Sequence, residues 1–350
     1  MMMHGMNMYA IHIPKKPQVT DECEKLCDKL LSGNYETPVD SFFKESCFKS
    51  VKDAAGFWNE AQVKRHIMPL VVPSATALNI HEIADLKGII EEMDTQWVRC
   101  ASIQGPQPKP DFAAGLGSFA FTPQEIEQLN SSHTGDCPTY VTDAMYFPFL
   151  VCEAKSSERA IREAEKQAMR SASIAVRAIV RLYEKVSRQQ ELYRKILVFS
   201  ICHDHQSVQL TGYYADVIDG KLQFFRHHIK FFTFIDKQSR WTAYNFTRKV
   251  YEDFAPIHLD RIRSALSKLA ERPPESVYQV SHNLNDAAEA PESRLTSHSA
   301  TVLLLEKKLE TLQKEIDMLQ QQQQQQQQHE NDYNALKQET QLLREQKQME

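Results

Sequence analysis

An α/β fold is predicted, with a helical N-terminal part and a helical tail, on three observations. Residues 145–155 (MYFPFLVCEAK) are apolar and end in charge, a long amphipathic segment follows to about Gln190, and residues 196–201 (ILVFSI) are apolar again. Strand, helix and strand in that order form the unit that joins parallel strands. Asp219-Gly220 separates two strand-like runs, residues 207–217 and 222–234, and this dipeptide favours a two-residue hairpin. Val302, Leu305, Leu309, Leu312, Ile316 and Leu319 step by three and four, a heptad seam.

The elements follow in order. Residues 1–19 read as a disordered, Met-rich tail. Residues 20–95 read as helical: Thr20 begins the first helix and residues 60–68 form another. Pro69 and Pro73 interrupt, and a third helix runs over residues 75–93, with Ile80, Ile83, Leu86, Ile89 and Ile90 at helical spacing. Residues 97–103 (WVRCASI) have the composition of a strand. Prolines make 105–110 a rigid turn, and 111–116 is the next strand. Thr122, Pro123 and Glu125 spell the start of a helix: cap, first-turn proline and capping-box acid. After strand 145–155, Ser156 or Ser157 caps a long helix with the stripe Ile161, Ala164, Ala168, Ala172, Ala175, Ile179, Leu182 and Val186. Residues 241–269 return to helix, broken near Pro256. The main domain thus covers 20–272, with a polar linker over 273–299. The heptad segment and nine glutamines, 320–328, fill 300–350. So short a seam also suits a solitary surface helix.

Charge and composition narrow the function. The 350 residues carry 41 Lys+Arg and 46 Asp+Glu, a net −5, which excludes a uniformly basic nucleic-acid binder. Residues 155–195 hold 11 Lys/Arg against 5 Asp/Glu, and residues 221–272 the same, so two segments of +6 lie within an acidic chain. These suit a phosphate backbone, or simply the solvent faces of helices. There are ten glycines and no glycine-rich phosphate loop. Seven cysteines, with no CxxC pair, read as reduced thiols of an intracellular protein. The N-terminus makes a poor signal peptide, and no apolar run approaches a membrane span. A nuclear or cytoplasmic protein, not secreted, is expected, with no membrane partner.

Glu153 and Lys155 alternate to one face at the charged end of their strand, with Ala154 on the other. A buried strand has no packing reason to place them there. Pro110-Asp111 opens another strand, and if the two are neighbours Asp111 lies beside Glu153. Two carboxylates and the Ala154 backbone carbonyl form a hard-oxygen set suited to Mg²⁺. Lys155 would then assist an attacking water or offset phosphodiester charge. His203-Asp204-His205 has the letters of a metal triplet, although at a strand end it also reads as a polar turn. His227-His228 belongs to the basic surface, and Trp58, Trp97 and Trp241 to the core.

Pro110-Asp111 followed by Glu153-Ala154-Lys155 resembles the PD-(D/E)XK signature of the restriction-endonuclease-like superfamily. The flanking segments NEAQV (59–63), PLVVPS (69–74), PKPDFA (108–113), FLVCEAK (149–155) and FSICHDH (199–205) are similar to a fungal family of nuclease-like domains, over residues 55–270 or so. The resemblance implies an αβββαβ core with a central mixed sheet flanked by helices, and the helical N-terminus and coiled-coil tail as additions. It implies that Asp111 and Glu153 hold the metal and that Lys155 is the catalytic lysine. Gln167 matches a glutamine that some branches use near the site, and Glu60 an acid that they add to it. Glu60 also stands i,i+4 from Lys64, as a simple helical pair.

The expected function is Mg²⁺- or Mn²⁺-dependent hydrolysis of DNA or RNA, with Arg159, Arg162, Lys166 and Arg170 on backbone phosphates. The alternative is a catalytically inactive module that binds nucleic acid or a protein, assembled as a homo-oligomer or with a partner through residues 302–319.

Overall fold

A computed structural model describes residues 11–12, 19–101, 106–156 and 158–270. The linker, the heptad seam, the glutamine run and the cap at Ser157 lie outside them.

The first element is β1, Ile11–His12, which pairs in parallel with Phe224 and Phe225. The expected free tail is therefore corrected at these two residues. Thr20 caps α1, Asp21–Leu31, by accepting from the Cys23 amide. Helices α2 (Glu45–Ala55), α3 (Glu60–His66), α4 (Met68–Val71) and α5 (Ala75–Ile80) follow. Asn59 and Gln62 cap α3 reciprocally, which fixes where its first turn begins.

Two expectations fail between α5 and residue 111. The helix read over 75–93 stops at Ile80, and Ile89–Met93 is a strand, β2. The helical spacing misled because its residues share no buried face: Ile80 is 70% and Ile83 55% exposed, while Leu86 and Ile89 are buried. Glu82 takes a left-handed φ of 55°, which turns the chain out of the helix. The strand expected at 97–103 is irregular over 97–101. Its amides bond to separate loops, Trp97 to Pro108, Arg99 to Val141 and Ala101 to Gly135, so they cannot feed a ladder. Trp97 is buried in the core, with Trp58 and Trp241 packed at its edge.

The remaining elements lie close to expectation. They are β3 (Phe112–Gly117), α6 (Pro123–Ser132), β4 (Met145–Ala154), α7 (Glu158–Lys185), β5 (Ile196–His203), β6 (Ser207–Ile218) and β7 (Lys221–Thr233). Thr122 and Glu125 form the capping box of α6. The helices α8 (Thr242–Lys249) and α9 (Ala255–Ala270) are joined by a π turn over Val250–Phe254. The expected break at Pro256 is thus a wide turn just before it, which accommodates the amide that proline lacks.

The strands form a mixed sheet in the order β1-β7-β6-β5-β4-β3-β2, flanked by helices. Strands β2, β3 and β4 are antiparallel neighbours, α7 carries the chain from β4 to its parallel neighbour β5, and β5, β6 and β7 are antiparallel again. Every residue of β4 and β5 is buried, as their unbroken apolar sequences require. The alanine stripe of α7 is buried against β4 and β5. Burial extends round the helix from Ser171 to Val180, and Tyr183 donates to the Arg261 carbonyl of α9, so α7 is a core helix. All seven cysteines are free, and six are buried. No helix among the described residues is long and apolar enough to cross a membrane.

Asp219 and Gly220 have φ values of 51° and 70°, the double left-handed turn that fits a hairpin's twist. Gly220→Val is expected to cost about 1–2 kcal/mol, because only glycine adopts this φ without strain. Urea denaturation checks this; an unchanged midpoint would mean that the turn tolerates a branched side chain.

Candidate active site

The site forms where β3 begins and β4 ends. Phe112 pairs with Cys152 in the antiparallel β3–β4 register, and one step further brings Asp111 opposite Glu153. The Asp111 Oδ2 atom accepts the Ala154 amide at 2.8 Å, so the two strand ends are tied through the acid itself. The sheet therefore brings together the Asp111 and Glu153 expected from the sequence.

Two further elements close round this pair. From α3, Lys64 Nζ reaches Asp111 Oδ1 at 2.7 Å, Asp94 Oδ1 at 3.0 Å and Glu60 Oε1 at 3.9 Å. Lys155 Nζ stands 3.2 Å from Glu60 Oε1, and its backbone amide donates to the His203 carbonyl of β5. Glu60 thus pairs with Lys64, as its helical spacing predicts, and also joins the site through Lys155. Asp111, Glu153 and Lys155 are buried, whereas the Glu60 and Asp94 side chains are 41% and 49% exposed. The cluster opens to solvent on the side of α3 and the end of β2.

The electrostatics follow from burial. Desolvation and the neighbouring Asp111 push the Glu153 carboxyl up to about 9, against the pull of Lys155 and Lys64. At neutral pH Glu153 keeps its proton unless more positive charge arrives. Burial opposes the Lys64 ammonium, but its bonds to Asp111 and Asp94 outweigh this and hold its pKa above the usual lysine value.

Two adjacent buried carboxyl groups, one pushed towards its protonated form despite nearby lysines, offer the hard oxygens that Mg²⁺ or Mn²⁺ takes. Both Asp111 oxygens are engaged by Lys64 and by the Ala154 amide. Among the described residues no group of three His, Cys, Asp or Glu side chains is arranged to hold a metal ion. A cation on Asp111 Oδ1 would meet the Lys64 ammonium on the same oxygen.

Gln167 on α7 is exposed. Arg162 and Lys166 are exposed on the same helix and Arg170 is half-buried, while the Arg159 side chain lies outside the described part. The basic segments are partly neutralised by distant acids: Arg240 pairs with Glu45, Arg226 with Glu165 and Arg263 with Glu125. Asp204 Oδ1 accepts the amides of Gln206 and Ser207, each at 2.7 Å, so the His203-Asp204-His205 segment is a polar turn. Sequence reasoning missed Lys64 and Asp94 as site residues. The Glu60/Lys64 spacing was a partial signal for the first. Asp94 was hidden by the helical reading of β2.

Residues 47–266, more than half of the chain, match the family model described as Domain of unknown function (DUF7924). No curated protein matches the chain.

Proposed function

We propose, from the premise that this chain belongs to the DUF7924 family, that it is a divalent-metal-dependent hydrolase of phosphodiester bonds in DNA or RNA. The observation that carries this reading is the placement of Asp111, Glu153 and Lys155 at adjoining strand ends, with Asp111 and Glu153 facing one another. The element order supports it: three antiparallel strands, a helix, then a strand parallel to the third. We read this order as the αβββαβ core that the resemblance to the PD-(D/E)XK superfamily implies.

In this reading Asp111 and Glu153 hold Mg²⁺ or Mn²⁺. When bound, the ion supplies positive charge that stabilises the developing negative charge on the phosphorus oxygens. Lys155 presents its ammonium beside the carboxylates, where it orients the attacking water or offsets charge on the scissile phosphate. Glu60 positions Lys155 through their 3.2 Å contact. Exposed Arg162 and Lys166 on α7 contact backbone phosphates in this reading.

One observation favours a second reading, a module that binds nucleic acid or a protein without cutting: both Asp111 oxygens already have partners within the chain. The test incubates the purified protein with single- and double-stranded DNA and RNA in Mg²⁺ or Mn²⁺, beside Glu153→Ala. Cleavage by the wild type that the variant loses is the expected result. Equal, background cleavage by both would sink the catalytic reading, and salt-sensitive binding without cleavage would establish the second.

A further inference from the structure

We infer that Lys64 is a built-in counter-ion of the site, which holds Asp111 until a divalent cation displaces it onto Asp94 and so sets the metal affinity. The inference rests on the metal-dependent reading above.

The geometry carries it. The capped first turn of α3 fixes Glu60, and Lys64 lies one turn further on, so both side chains leave the helix on one side. The Lys64 ammonium stands among three carboxylates that come from different elements. Asp111 is the nearest, at 2.7 Å, and is buried, while Asp94 at 3.0 Å and Glu60 at 3.9 Å are substantially exposed. An ammonium has three donors and no lone pair, so it can satisfy carboxylates but never ligate a metal. Magnesium and manganese ligands approach their ion to about 2.1 Å, and an ammonium on the same oxygen stands within strong repulsion of that charge.

Lys64 has somewhere to go. Its contact with Asp94 is already made, and the lysine stem is flexible, so leaving Asp111 asks only for a side-chain rotation. Asp94 follows β2 with a left-handed φ of 49°, and its amide donates to the Asp111 carbonyl. The alternative partner is therefore anchored to the backbone of the residue that is released. The result is a two-position lysine: on Asp111 without metal, and on Asp94 with it. Removing Lys64 removes the competitor, whereas removing the Asp94 charge strands the lysine on Asp111. The two substitutions should move metal affinity in opposite directions.

The experiment titrates Mn²⁺ into the full chain without nucleic acid and follows free Mn²⁺ by electron paramagnetic resonance. Four proteins are compared: wild type, Lys64→Met, Asp94→Asn and the double variant. Lys64→Met should bind about tenfold tighter, since a like charge at this range shifts a neighbouring equilibrium by at least that factor. Asp94→Asn should bind several-fold weaker than wild type, with the effect lost in the double variant because Asp94 acts through Lys64. Unchanged or weaker binding by Lys64→Met, or an Asp94→Asn effect that persists without Lys64, would overturn the inference and leave the metal reading intact. Absence of Mn²⁺ binding in every protein would overturn both. If Lys64→Met does not fold, Lys64→Gln takes its place in the single and the double variant, with the same results supporting or overturning the inference.

Discussion

Between about pH 6.5 and 8.5, in the presence of a chelator, the wild-type protein is expected to lose about 2 kcal/mol of stability, and Glu153→Gln to lose little of it. The cause is the Glu153 carboxyl, which burial and Asp111 push from 4.5 up to about 9. Through that window the folded protein keeps the proton and the unfolded chain gives it up. Rising pH therefore favours the unfolded chain: the contribution is complete below 4.5 and is lost as pH climbs through 9. The full difference would be larger than the figure above, but movement of Lys64 and entry of water relieve part of it.

His258 shapes the acid side of the same profile. Burial and Arg261 push its imidazole from 6.5 down to about 3, although its bond to the Phe147 carbonyl opposes this. Its contribution is present above 6.5 and is lost as pH falls towards 3. Between 4.5 and 6.5 the two slopes oppose, and above 6.5 only that of Glu153 remains. Urea denaturation at several pH values measures both proteins; parallel wild-type and Glu153→Gln profiles would refute the assignment. Excess Mn²⁺ should flatten the wild-type profile and leave that of the variant unchanged, because the added charge lets Glu153 ionise without penalty.

The second large effect concerns Gly115, in the middle of β3. A Cβ there would lie 2.6 Å from Met145 Cγ and 2.9 Å from the Tyr146 carbonyl oxygen. The first contact is with a flexible side chain, but the second is with the backbone of β4 and cannot be relieved without moving a strand. The register already shifts between Ala114 and Leu116, so this is the irregular point of the β3–β4 pair. Gly115→Val is expected to cost about 3 kcal/mol. Displacement of β3 would also draw Asp111 away from the Ala154 amide, four residues from the substitution. A lower urea midpoint together with weaker Mn²⁺ binding is the expected pair of results. A loss under about 1 kcal/mol would show that the two strands separate easily here.

Much of the centre of this fold is legible without coordinates. The run 145–155 has no polar interruption because β4 is buried along its whole length, and the alanine stripe of α7 marks the face that lies on it. The Asp219-Gly220 turn and the Thr122 capping box depend on neighbours within three residues, and local chemistry suffices for both. The stretch from 81 to 101 departs from its local pattern for the opposite reason. Its residues are graded in exposure and do not alternate, so β2 looks helical, and the backbone donors of 97–101 find acceptors in remote loops.

The same division runs through the site. The sequence alone singled out Asp111, Glu153 and Lys155 as candidates, because charge beside an apolar strand conflicts with burial. It could not reveal that Lys64 would lie on Asp111, 47 residues away, or on Asp94, 30 residues away. Those partners meet only after α3 and the end of β2 have packed against β3. Periodicity and capping act over a few residues and are written in the chain. The balance of charge in a buried cluster depends on which distant groups share its small volume, and only the tertiary structure decides that.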